Sequence, residues 1–270
     1  MNKYTKERPL RVFESFAGYG SQSMALQRIA ERHPDFHYEV VGFSEIDPPA
    51  IKAYHMVHGD DIPNYGDISK VDWSQVPDFD FFTVSSPCQD FSAAGLRKGG
   101  EEGSGTRSSL LWECRKAILA KHPKYLFFEN VSNLVSKKFL PLFLKWVHEL
   151  DGYGYKNFLP PVFPTPWKEK RKQTRKYIMD ASDYGVPQHR ERVYMISILR
   201  TDDDPDPQYS FPAPFPLERH LIDVLEAEVD ERYFIGDKML KYFRSVDEDK
   251  THGHDFKPKK KRPHSVHCAD

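Results

Sequence analysis

The chain has 270 residues, 39% of them apolar and 14% aromatic, enough for one large domain or one domain plus part of a second. Its net charge of −1 gives no overall basic signature of nucleic-acid binding, its three cysteines are too few for a disulfide framework, and no run of about 18 apolar residues offers a membrane span. Residues 1–6 hold no apolar stretch like a secretion signal, so a reducing, cytoplasmic setting is expected.

Residues 10–13 read as a first strand, and residues 22–32 as a helix with Met24, Leu26 and Ile29 among its apolar positions. Between them lies Phe16-Ala17-Gly18-Tyr19-Gly20, where glycines let the backbone turn tightly and approach a bound cofactor. Ser23 follows where G-x-G-x-x-G wants a third glycine, so the fingerprint is incomplete. Residues 38–43 read as a second strand, and Glu45 beyond it can accept hydrogen bonds from ribose hydroxyls. Asp67 is read at the end of a third strand, placed to accept from an adenine amino group. Turn and acids together suggest an adenosine-containing cofactor without choosing between a dinucleotide and S-adenosylmethionine; helix capping is the plainer role for both acids.

Residues 79–84 form an apolar strand that hands Pro87-Cys88-Gln89 to the following loop. Ligands bind beyond the carboxyl ends of such strands, which makes Cys88 a candidate nucleophile; the plainer alternative is a small buried hydrophobe. Gly95 and the glycine-rich residues 99–105 suggest either a loop that closes over substrate or an ordinary surface loop. A helix over 110–121 and a strand over 125–128 lead to Glu129-Asn130-Val131. A carboxylate there is costly without a partner, and suits a protonated donor or general acid, or a cap for the next helix.

A helix over 140–150 precedes two further strands, 177–179 and 193–199. At the entrance to the last stands Gln188-His189-Arg190-Glu191-Arg192, which puts two arginines on one side of an extended chain. There they can hold a carboxylate or phosphate, or order a neighbouring glutamate. Strands alternating with helices imply an α/β fold with a mostly parallel sheet covered on both faces. Five prolines within 201–216 suggest a linker, followed by a short helix over 219–228 and a polar, basic tail from Asp247. The basic runs 168–176 and 257–262 are candidate contacts to a phosphate backbone, or simply solvated faces. His252, His254, His264, His267 and Cys268 do not match paired zinc-ligand spacing, so no metal is expected.

Phe-x-Gly-x-Gly, Pro-Cys-Gln, Glu-Asn-Val and Gln-x-Arg-x-Arg, in that order across residues 10–200, resemble the cytosine-5 methyltransferase family. The resemblance implies a Rossmann-like S-adenosylmethionine-dependent methyltransferase fold: a mostly parallel seven-stranded sheet with one antiparallel strand and helices on both faces. It implies a catalytic domain over 1–200, with 201–270 a linker and the start of an incomplete target-recognition region. Phe16, Gly18 and Gly20 would line the methionine side of S-adenosylmethionine and Glu45 would hold its ribose. Ile46 would pack on the adenine, Asp67 would bond its amino group, and Leu110 would touch the cofactor.

Cys88 would add as a thiolate to carbon 6 of cytosine, which requires the site to lower a free pKa of about 8.5. Glu129 would hold or protonate ring nitrogen 3 and Arg192 would contact the ring oxygen, with Arg190 and Gln188 supporting the site. Gln89, Ser92 and Arg107 would meet the DNA, from which the cytosine must be flipped out. The implied function is DNA (cytosine-5-)-methyltransferase acting on double-stranded DNA, in a restriction–modification setting. Family members usually continue into an Arg-x-x-Thr-x-x-Glu-type segment and an Asn-bearing segment that returns to the cofactor pocket. Neither is found here, which leaves either a truncated product or the catalytic half of a split enzyme whose missing part a complementing subunit supplies. The alternatives are a split or inactive truncated member, a transfer-RNA cytosine-5 methyltransferase, and a non-catalytic DNA- or partner-binding module. A nicotinamide-dependent dehydrogenase would leave Pro87-Cys88-Gln89 and Glu129-Asn130-Val131 unexplained.

Overall fold

A computed structural model describes residues 4–91, 99–162 and 176–253, the side chains of 246–253 excepted. Seven strands form one sheet: β1 (Leu10–Ser15), β2 (Tyr38–Ser44), β3 (Phe81–Val84), β4 (Tyr125–Val131), β5 (Tyr155–Phe158), β6 (Ile178–Asp180) and β7 (Glu191–Leu199). The order is β2-β1-β3-β4-β7-β5, with β6 also pairing with β7. The first four strands are mutually parallel, and β7 runs antiparallel to β4, β5 and β6. The reversed strand matters for function. Because Arg192 at the start of β7 lies opposite Val131 at the end of β4, it joins the carboxyl ends of the parallel strands.

Alternation along the strands separates two faces. On one, Phe13, Phe82, Leu126, Phe128 and Met195 form the main core with Ile118 of α3 (Cys114–Lys121) and with Phe143 and Trp146 of α4 (Leu140–Gly152). Each fully buried phenylalanine there contributes about 2–3 kcal/mol of transfer free energy. On the other face, Leu26 of α1 (Ser21–Arg32) packs on Leu10 and Val12, with Phe81 and Tyr125 half-buried beside them. Tyr54 of α2 (Pro48–His58) stacks on Phe43 with ring centroids 3.9 Å apart.

Residues Met1–His220 form one compact unit that contains the sheet, and Leu221–Asp270 form a second, which includes α5 (Asp237–Gly253). No helix among the described residues is long and apolar enough to cross a membrane.

Several local expectations are corrected. The helix over 219–228 is only a 3-10 turn, Leu221–Val224. Leu221, Ile222, Val224 and Leu225 are exposed, and a short helix without packing surface is marginal. No third strand ends at Asp67: Asn64 makes an isolated bridge to Phe43, and Asp67 caps the 3-10 turn Ile68–Lys70. The helix over 110–121 begins as a 3-10 turn, Arg107–Glu113, before α3. Three elements were not read from the sequence: α2, β5 and α5. Ser92, Gly95, residues 168–175 and 257–262, and His254, His264, His267 and Cys268 lie outside the described residues, as does the His252 side chain.

Candidate active site

The turn after β1 carries positive φ at Phe16 (54°), Gly18 (59°) and Gly20 (79°). At Gly20 a side chain is doubly excluded: a Cβ would stand 2.3 Å from His58 Nε2 and 2.8 Å from Tyr54 Cε2. His58 Nε2 lies 3.1 Å from both the Tyr19 and Gly20 carbonyls, so that nitrogen carries a proton and latches the turn. Glu14, a fully buried carboxylate on β1, accepts from the Ser23 N–H (3.0 Å), the Ser23 hydroxyl (2.6 Å) and the Tyr54 hydroxyl (2.6 Å). It therefore satisfies an otherwise open N–H in the first turn of α1.

Glu45, just beyond β2, accepts from the backbone N–H of Gly18 (2.9 Å), Ile46 (2.8 Å) and Asp47 (3.0 Å). Asn64 holds the same loop, accepting from the Glu45 N–H at 3.1 Å and donating to its carbonyl at 3.0 Å. Asp67 accepts from the backbone and hydroxyl of Ser69, and the Ser69 hydrogen bonds lower its pKa. These groups surround a cleft of about 530 Å³. Of the expected residues, Phe16, Glu45, Ile46, Asp67, Leu110, Gln89 and Arg107 line it. Gly18 acts from behind, through its bond to Glu45.

Pro87 and Gln89 line the same cleft and carry partly exposed Cys88 between them. Two contacts fix that loop. The Phe91 N–H donates to the Cys88 carbonyl at 3.0 Å, and buried Asn130 of β4 donates to the Ser86 carbonyl (3.0 Å) and to its hydroxyl (3.2 Å). Asp90 and Ser108 exchange hydrogen bonds at 3.1 and 3.2 Å, tying the loop to the Arg107–Glu113 turn.

Glu129 and Arg192 meet at 3.0 Å, with side chains only 22% and 19% exposed. Burial raises the Glu129 pKa above the usual carboxylate range, against the pull of Arg192, Arg190 and Ser85. Arg190 is exposed, but its charge reaches Glu129. Buried Asp180 anchors the approach to β7, accepting from the Arg190 N–H at 3.2 Å and from Ser182. Gln188 is exposed on that approach and does not line the cleft.

Glu14, His58, Asn64, Asn130 and Asp180 were not read as site residues from the sequence. Glu14 alone carried a signal, a charge at the end of an apolar strand that must find partners.

The sequence model of the C-5 cytosine-specific DNA methylase family matches residues 10–266. The type II methyltransferase M2.ScrFI of Lactococcus lactis subsp. cremoris is 36% identical over 86% of this chain and 71% of its own length. The type II methyltransferase M.NlaX of Neisseria lactamica is 30% identical over 91% of this chain and 69% of its own. The orphan methyltransferase M.Rho11sI of Bacillus phage rho11s is 30% identical over 89% of this chain but only 48% of its own. Among solved structures, the S. pombe Dnmt2 methyltransferase superposes with a TM-score of 0.59 over 88% of this chain and 66% of that one. At 20% identity that likeness concerns the fold. The chain thus spans between about half and seven tenths of the length of these proteins.

Proposed function

The chain belongs to the C-5 cytosine-specific DNA methylase family, and from that premise we propose that it is a cytoplasmic DNA (cytosine-5-)-methyltransferase acting on a cytosine flipped out of duplex DNA. One observation carries the proposal: the Cys88 loop stands on the cofactor-sized cleft, at the strand ends where Glu129 and Arg192 meet.

The cleft fits S-adenosylmethionine by its chemistry. Phe16, Ile46 and Leu110 offer apolar walls for a purine, and Glu45 and Asp67 offer acceptors for ribose hydroxyls and an amino group. When bound there, S-adenosylmethionine supplies an electrophilic methyl group. The chain's own residues prepare the acceptor. Cys88 adds as a thiolate to carbon 6, leaving an enamine-like ring whose carbon 5 has become nucleophilic. Glu129, whose raised pKa suits it to carry a proton, holds or protonates ring nitrogen 3 as the thiolate adds. Arg192 keeps Glu129 in place and stabilises charge developing on the ring oxygen. Loss of the carbon 5 proton and elimination of the Cys88 thiol restore the aromatic ring.

Arg190 supports the pair electrostatically, and Gln89, Ser92, Arg107 and Gln188 are assigned to the DNA. In this reading residues 1–200 are catalytic. Residues 201–270 begin the recognition region.

The test is transfer of labelled methyl from S-adenosylmethionine to duplex DNA, beside transfer RNA and beside Cys88→Ala. Cys88-dependent label in cytosine of duplex DNA is expected. Label confined to transfer RNA would overturn the substrate.

A further inference from the structure

We propose that Ser85 and Gln22 are positioning residues that hold the Glu129 carboxylate in place for the base, linking it to the helix that begins at the glycine turn. The inference rests on the cytosine-5 transfer proposed above. Its geometry comes from strand register. Val84, the last residue of β3, pairs in parallel with Phe128 of β4, so Ser85 stands beside Glu129 on the face covered by α1. Gln22, the second residue of α1, reaches across that face and donates from Nε2 to Ser85 Oγ at 3.0 Å.

A hydroxyl has one proton to give. With its oxygen accepting from Gln22, Ser85 keeps that proton for the Glu129 carboxylate, beside which the strand register stands it. In this proposal Glu129 has two donors from different strands: Arg192 Nε of β7, at 3.0 Å, and the Ser85 hydroxyl just past β3. Two donors fix the plane of a carboxylate, as one does not.

The link also couples the parts of the site. Ser85 adjoins Ser86, which Asn130 clamps, and lies three residues before Cys88, so the segment that aims the thiol also restrains the acid. Gln22 follows Gly20 by two residues, so the turn beside the cofactor cleft and the carboxylate at the base share one short support. The other groups acting on Glu129 are Arg190 and Arg192, with Tyr194 on the adjacent strand feeling its charge.

The experiment is a carbon-13 NMR titration of side-chain-labelled glutamates in the full chain, with Glu129→Gln identifying the resonance. Ser85→Ala is expected to move the Glu129 midpoint to higher pH, because a donor to the charged form is gone. Ser85→Thr is expected to restore it, and Gln22→Ala to shift it upward by less. An unmoved midpoint in Ser85→Ala and Gln22→Ala, with the rest of the spectrum native, would overturn the inference. Should Ser85→Ala not fold, Ser85→Thr and Gln22→Ala decide by the same midpoint. In methyl transfer, Ser85→Ala is expected to lower kcat about tenfold with KM for DNA unchanged. A wild-type chain that transfers no methyl to any nucleic acid counts against the proposed function, while the titration still decides this inference.

Discussion

Glu45 and Glu129 stand at the carboxyl ends of β2 and β4, yet their surroundings differ in kind. Glu45 is satisfied by three backbone N–H groups from its own loop and the glycine turn. No side-chain cation is among those partners, and the acid serves as a fixed acceptor on the cleft wall. Glu129 is desolvated and held by side chains, above all Arg192, and burial outweighs that attraction enough to raise its pKa. Backbone donors make a carboxylate a fixture; burial beside an arginine makes one that can exchange a proton. The two cysteines repeat the contrast. Cys114 is fully buried and its thiol is pushed up to about 12 by burial, whereas Cys88 is partly exposed on the loop beside the cleft.

The contrast can be broken by exchanging or deleting its members. The largest effect is expected for Cys88→Ala, a loss of methyl transfer of more than about a thousandfold. Cys114→Ala should leave transfer within about twofold and cost about 1 kcal/mol of stability in chemical denaturation. Glu129→Gln should lower kcat by about 10²- to 10³-fold and remove the limb of the pH–rate profile that reports this carboxyl. Glu45→Ala leaves three N–H groups without their acceptor, and should weaken S-adenosylmethionine binding by about ten- to a hundredfold in calorimetry with little change in DNA affinity.

Gly20→Ala forces an L-residue to φ 79° against His58, and should destabilise the fold by about 1–3 kcal/mol while weakening cofactor binding. The smallest effect concerns stability against pH. The folded chain binds the Glu129 proton more tightly than the unfolded chain does. The Glu129 contribution is therefore fully present below the ordinary carboxylate pKa and is lost as pH rises through the raised value. Unfolding free energies of wild type and Glu129→Gln, compared across that window, should diverge with this sign.

Much of this arrangement was legible because the informative residues are local. Pro87-Cys88-Gln89 follows an apolar strand, and Glu129 ends another; strand ends are where an α/β sheet presents its chemistry. Phe16, Glu45, Ile46, Asp67 and Leu110 line one cleft although they come from four separate segments. What was not legible depends on partners far apart in sequence. Tyr54 reaches Glu14 across 40 residues and Asn130 reaches Ser86 across 44, and neither separation leaves a trace in local pattern. Asp67 was misplaced for a related reason: its segment joins the sheet edge by a single bridge at Asn64 rather than by a strand. In contrast, α2 has a local signal, Asp47 before Pro48-Pro49, which caps the helix by accepting from the Ala50 N–H at 3.2 Å. The segment after Pro216 fails the other way: a helix is expected over 219–228, but only the 3-10 turn Leu221–Val224 forms, with its apolar side chains exposed.

The most direct test of the central claim, that Cys88 adds to carbon 6 of a cytosine, is covalent trapping. Duplex DNA carrying 5-fluorocytosine would be incubated with the chain and S-adenosylmethionine. The products would be digested and mapped by mass spectrometry. Fluorine at carbon 5 cannot leave as a proton does, so the account predicts a stable, methylated adduct on the peptide that contains Cys88, absent in Cys88→Ala. Methylated cytosine formed on ordinary DNA by Cys88→Ala, or an adduct mapped to another residue, would contradict it.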